Sequence, residues 1–188
     1  VLLKKLKKPI EGRVLGIDAS TNSIAFCIID NKKIVKYGEI NFFGQDVYDR
    51  IVDAKRKVAA IIDQFDADLV AIEAAVMVRS ANTGLKMAYI FGAIMAEVIN
   101  DGKRVVEVHP ITWQSYIGNT NFTKAQKESV RQKFPGKSDN WYKAKIREMR
   151  KQITMDYFSN LGLSTDSDNV SDAAGVAWYV SNNLEKYS

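Results

Sequence analysis

Cysteine is nearly missing from this sequence: Cys27 stands alone among 188 residues. One cysteine excludes a disulfide framework and a cysteine-built zinc site. Cys27 lies in an apolar, strand-like run, where it reads as a small buried hydrophobe. That usage fits a reducing, intracellular compartment. Long apolar runs are missing too, so neither a membrane-spanning helix nor a membrane partner is expected. The basic start, Val1-Leu2-Leu3-Lys4-Lys5-Leu6-Lys7-Lys8, lacks a signal peptide's long apolar core and small-residue cleavage site. It reads as a short basic arm over residues 1–12. There is no internal repeat and no low-complexity tract.

What remains is the make-up of an ordinary soluble protein, 46% hydrophobic and 26% charged, long enough for one domain over residues 1–188. The net charge of +5 is modest, but it is unevenly spread. Between Asn119 and Lys151 ten basic residues face three acids, a net +7, while the rest of the chain is at −2. Residues 119–140 read as a basic insertion broken by Phe134-Pro135-Gly136. Such a segment beside a group of acids suits a polyanion held next to a metal, although any single lysine there is most simply a solvated charge.

Hydrophobic periodicity predicts three strands in a meander, at 13–20, 23–30 and 33–41, then a helix at about 46–65. A fourth strand follows at 68–73, a long helix at 83–100 and a fifth strand at 103–108. Pro110 suits the first turn of a short helix reaching Tyr116. A basic helix at about 141–160 and a terminal helix at about 168–184 complete the pattern. The fold class is α/β, a mixed five-stranded sheet flanked by helices. On the long helix, Gly84, Ala88, Gly92 and Ala96 recur every four residues as a smooth stripe. It serves either close packing on the chain's own sheet or a two-fold pairing with a second copy.

The chemistry lies in acids. Asp18 ends the run Val14-Leu15-Gly16-Ile17, and Glu73 ends Leu69-Val70-Ala71-Ile72. Asp168 and Asp172 open an alanine-rich helix, where a spacing of four puts them on one face. An acid ending a buried strand is costly unless a cation meets it. Acids on three segments converging on one point describe a site for hard divalent cations, Mg²⁺ or Mn²⁺. Two such ions roughly 3.5–4 Å apart can clamp a scissile phosphate. Taken singly, each acid has a simpler use: Asp168 as a helix N-cap, Asp18 in the turn with Ser20, Thr21 and Asn22.

Gly16-Ile17-Asp18, Ala71-Ile72-Glu73 and Asp168…Asp172-Ala173-Ala174 together resemble the acid motifs of RuvC-type Holliday-junction resolvases, in the RNase H-like superfamily. The likeness continues from Ile72 through Lys86 and covers roughly residues 12–184, interrupted by the basic stretch. It implies an RNase H-like fold and a homodimer that binds four-way DNA junctions. It further implies paired, symmetric nicks made with Mg²⁺ or Mn²⁺, two ions per site, leaving 5′-phosphate ends. In the loop after Glu73, Arg79 would contact DNA, and Val76 or Met77 would stand where the family often has an aromatic wedge. Gly84, Ala88, Gly92 and Ala96 would form the dimer helix. Lys143, Lys145 and Arg147 are the first candidates for phosphate contacts, with Lys124 and Lys127 next. The family usually spaces its last two acids three apart, and three before Asp172 stands Asn169. Either Asp168 takes that role, or Asn169 offers a neutral oxygen to the metal, or the substitution impairs the site.

Three other readings stay open. Gly16-Ile17-Asp18-x-Ser20-Thr21-x-Ser23 also resembles the phosphate loop of actin-like and sugar-kinase ATPases. The chain is too short for two such domains and has no second glycine-rich loop, so no nucleotide cofactor is expected. The protein could instead bind junctions without cutting them. An RNase H-like nuclease could also act on RNA–DNA hybrids or other branched DNA.

Overall fold

The computed structural model describes residues 12–74 and 80–187. The basic arm before residue 12, Val76, Met77 and Arg79 lie outside the described residues. Strands β1 (Arg13–Ala19), β2 (Ser23–Asp30) and β3 (Lys33–Asn41) form an antiparallel meander. Helix α1 (Val47–Phe65) leads to β4 (Leu69–Glu73), and α2 (Ala81–Asn100) leads to β5 (Arg104–Val108). Four helices follow: α3 (Pro110–Tyr116), α4 (Lys124–Lys133), α5 (Asp139–Ser159) and α6 (Asp168–Ser181). The sheet order is β3-β2-β1-β4-β5, with β4 parallel to both β1 and β5. Among the described residues, no helix is long and apolar enough to cross a membrane.

Sequence explains most of this arrangement. β1 is central and buried on both faces through Val14-Leu15-Gly16-Ile17, as its unbroken apolar run requires. β3 is an edge strand, and its exposed Lys33 and Lys36 discourage further strand pairing. The β2–β3 turn holds Asn31 at φ 47° and Lys32 at φ 62°, the left-handed pair that a two-residue hairpin needs. Asp46 caps α1, Ser80 caps α2 and Ser167 caps α6. Inside the predicted basic insertion lies a helix that hydrophobic periodicity does not announce, α4. Its start is a capping box, Thr123 with Gln126.

Side chains alternate across the sheet into two cores. Leu15, Ile17, Val70 and Ile72 face α1 and α2, whereas Val14, Ala25, Cys27 and Ala71 face α6. Two glycines set how closely the second layer approaches. A Cβ on Gly16 would lie 2.2 Å from the Ala173 carbonyl oxygen, so α6 rests on the backbone of β1. A Cβ on Gly175 would lie 2.4 Å from the Trp113 ring. α6 therefore sits low enough to bring its first turn to the ends of β1 and β4. The small-residue stripe of α2 does not pack on the sheet: Ala88, Gly92 and Ala96 are exposed, and a Cβ on Gly92 would touch nothing within 4 Å.

Candidate active site

One row of residues crosses the sheet at its acidic end. Glu39 on β3 pairs with Ala25 on β2, and Ala25 pairs with Asp18 on β1. One step beyond the Ile17–Ile72 pair, the row continues to Glu73, which pairs with Val108 on β5. Paired positions share a face, and this face is the one covered by α6, which adds Asp172. Asp18 does not serve the β1–β2 turn; Ser20 does, its Oγ accepting from the Asn22 and Ser23 amides at 3.1 and 2.9 Å.

Burial and mutual repulsion perturb the three inner acids in the same direction. Burial pushes Asp18 up to about 6, helped by Glu39 and opposed by Lys151. Burial pushes Glu73 up to about 7, helped by Asp18, while a hydrogen bond from Trp113 Nε1 at 2.8 Å opposes the rise. Asp172 is highest, at about 8, through burial and then the charges of Glu73 and Asp18. Coupled carboxylates with so little neutralising charge are a poor structural choice and a good set of hard oxygen donors. Their chemistry fits a divalent cation such as Mg²⁺ or Mn²⁺. They are grouped rather than closed: among the described residues, no three His, Cys, Asp or Glu side chains gather tightly enough to enclose one ion.

The other two candidates on α6 have different surroundings. Asp168 forms an ion pair with Lys151 of α5, and Ser167 rather than Asp168 caps the helix. Asn169 donates from Nδ2 to Glu39 Oε1 at 3.0 Å.

Glu73 and Asp172 open into a groove of about 750 Å³ between α3, α4 and α5. Lys127, Lys143 and Arg147 line it, whereas Lys124 and Lys145 do not. Lys145 pairs with Glu148 at 2.7 Å on its own helix. Arg150, basic in the sequence count, is used internally. Its guanidinium donates to Gln114 Oε1 at 2.6 Å, Asn121 Oδ1 at 3.0 Å and the Asn119 carbonyl at 3.0 Å. It thereby ties α5 to the segment after α3. Of the aromatic residues near these charges, Trp113 and Tyr142 are buried and Phe122 lines the groove. Glu39, Lys151 and Arg150 carry no local signal in the sequence: strand register places Glu39, the packing of α5 on α6 places Lys151, and the segment after α3 takes Arg150.

The chain is 25% identical over 124 residues to the crossover junction endodeoxyribonuclease RuvC of Koribacter versatilis, covering 63% of this chain and 74% of that one. It is 29% identical over 132 residues to the Vibrio vulnificus RuvC, covering 66% and 76%. Among solved structures it resembles Thermus thermophilus RuvC in complex with Holliday junction substrate. That match has a TM-score of 0.66 at 13% identity, covering 93% of this chain and 96% of that one. It also resembles the yeast mitochondrial Holliday junction resolvase Ydc2, with a TM-score of 0.57 at 14% identity over 96% and 83% of the two chains. These likenesses show the RNase H-like fold. The family model for crossover junction endodeoxyribonuclease RuvC matches residues 14–134, from β1 through α4. With well over half its length matched, this chain belongs to the RuvC family of crossover junction endodeoxyribonucleases.

Proposed function

We propose that the protein is a divalent-metal-dependent endonuclease that resolves four-way DNA junctions by paired, symmetric nicks. The observation that carries this reading is the group of buried acids, Asp18, Glu73 and Asp172, two of which, Glu73 and Asp172, open into a basic groove. In this reading Asp18, Glu73 and Asp172 hold Mg²⁺ or Mn²⁺, two ions per site, with the Asn169 amide oxygen as a neutral fourth donor. Bound divalent ions supply Lewis acidity at the scissile phosphate and lower the pKa of the attacking water. Asp168 takes a lesser part: it holds Lys151 at the edge of the site. Lys127, Lys143 and Arg147 bind the phosphates of one strand in the groove, an affinity that is salt-sensitive and independent of sequence.

Pairing of the nicks follows from a second copy. The outward face of α2 carries Leu85, Tyr89 and Ile99 exposed beside Ala88, Gly92 and Ala96, an apolar surface with a smooth centre. Two copies joined there through a two-fold axis would fix two sites at one separation. A four-way junction presents two symmetry-related phosphates to such a pair, at a spacing set by the strand exchange rather than by the pitch of a linear duplex. The solved complex of the Thermus thermophilus relative with a Holliday junction supports the same substrate class.

Cleavage of labelled four-way, three-way, linear duplex and RNA–DNA hybrid substrates with and without Mg²⁺ tests the proposal. The expected result is metal-dependent, symmetric nicking of the four-way junction, leaving 5′-phosphate ends. Equal cleavage of the hybrid would move the protein to another RNase H-like activity. Tight junction binding without cleavage in Mg²⁺ or Mn²⁺ would make it a binding protein.

A further inference from the structure

Glu39 belongs to none of the acid motifs, yet it stands in the same cross-strand row as Asp18, separated from it only by Ala25. It lies on the exposed edge strand, and three side chains hold its carboxylate. Ser167 Oγ donates to Oε2 at 2.6 Å. Ser23 Oγ and Asn169 Nδ2 both donate to Oε1 at 3.0 Å. Three donors on one carboxylate of a solvent-facing edge strand are the surroundings of an ionised acid.

The partner of Asn169 fixes the direction of its amide. An ionised carboxylate only accepts hydrogen bonds, so the NH₂ end of Asn169 must face Glu39 and the amide oxygen must face away. Asn169 is three residues before Asp172 on α6, a spacing that puts both on one side of the helix. RuvC-type motifs usually carry an acid here. This chain has the amide, with a carboxylate bonded to its far end.

We infer that Glu39 is a positioning residue of the metal site: it holds the Asn169 amide with its oxygen outward as a donor, and it supplies next to it the negative charge that Asn169 lacks. The Glu39–Asn169 pair thus stands in for one carboxylate. This role resembles the hydrogen-bonded partners behind metal ligands in general, whose loss weakens metal binding by about 10–100-fold. It rests on the reading of Asp18, Glu73 and Asp172 as metal ligands.

Titration of the full-length, DNA-free protein with Mn²⁺ by calorimetry tests the inference without reference to cleavage. Glu39→Gln keeps the size and an acceptor oxygen but removes the charge, and Mn²⁺ affinity should fall about tenfold. Adding Asn169→Asp to Glu39→Gln moves the charge directly onto α6 and should restore affinity to near the starting value. A purely structural tie between β3 and α6 would survive Glu39→Gln, whose amide oxygen still accepts from Asn169, and would leave Mn²⁺ affinity unchanged. Asn169→Asp alone places two carboxylates in contact, so its metal-free Tm should fall at pH 8 and recover on Mn²⁺ addition more than the wild type's does. Mn²⁺ uptake that is lost in Asp18→Asn but unchanged in Glu39→Gln would overturn the role of Glu39 alone, as would failure of the double variant to regain affinity. No uptake by the wild type would overturn the metal site and the role of Glu39 with it.

Discussion

Trp113 joins the end of β4 to the middle of α6. Its Nε1 donates to Glu73 Oε2 at 2.8 Å, and its ring fills the space where a Cβ on Gly175 would stand. The indole is fully buried, so its one donor must find a partner, and the partner is a carboxylate of the candidate site. The bond fixes the direction of Glu73 and opposes the rise of its pKa.

Trp113→Phe should therefore raise the pKa of Glu73 above its present value of about 7. The acid limb of the pH–rate profile for junction cleavage should move to higher pH. Hydrogen bonds to charged groups are worth roughly 1.5–3 kcal/mol, so cleavage at pH 7 should fall on the order of tenfold or more. A pH–rate series on the two proteins reads both effects.

Metal-free stability should fall as pH rises. Asp18, Glu73 and Asp172 titrate at about 6, 7 and 8 in the folded protein, above the value near 4 usual for exposed carboxylates. The folded chain thus binds more protons than the unfolded chain between about pH 4 and 8, and stability declines with pH through that window. A loss of about 2 kcal/mol corresponds to roughly 4–8 °C in Tm for a chain of this size. Thermal melts at pH 5 and pH 8 without metal check the sign. Mg²⁺ should recover most of the loss at pH 8, and Asp172→Asn should raise the metal-free Tm there.

Gly16→Ala should injure fold and site together. The new methyl would meet the Ala173 carbonyl at 2.2 Å and the Ala177 methyl at 2.6 Å, so α6 must lift from β1. Overpacking of this kind costs about 1–3 kcal/mol. Lifting α6 also moves Asp172 away from Asp18. Urea denaturation measures the first effect and Mn²⁺ titration the second.

Much of this site can be read from sequence, and the unreadable part has a physical pattern. Asp18 and Glu73 are visible because each ends a buried strand, and Asp172 because an alanine-rich helix follows it. Glu39 gives no local signal: it is a polar residue on a polar edge strand, and strand register alone brings it into the row of Asp18. Asp168 and Asp172 share a helix face by spacing, but Lys151 on another helix meets Asp168, a contact that spacing within one helix cannot reveal. The α4 helix has few apolar residues and so weak periodicity, although its Thr123–Gln126 capping box was present in the letters. For the stripe on α2, both packing on the sheet and pairing outward satisfy the same pattern; the open space around Gly92 removes the first.

The basic residues should divide by their position in the groove. Lys143 and Arg147 line it, whereas Lys145 is paired with Glu148 outside it. Lys143→Gln and Arg147→Gln should each weaken junction binding and reduce the salt slope by about 1. Lys145→Gln should leave the slope unchanged. Junction binding across a salt series distinguishes the three variants.

In the proposed function the acids cut and the groove binds. Its most direct test compares Asp18→Asn with the wild type on one four-way junction, measuring affinity without metal and nicking with Mg²⁺. The variant should bind as tightly as the wild type, or more tightly for having one less negative charge beside the phosphates, and should make no nicks. Nicking by Asp18→Asn at the wild-type rate would contradict the account.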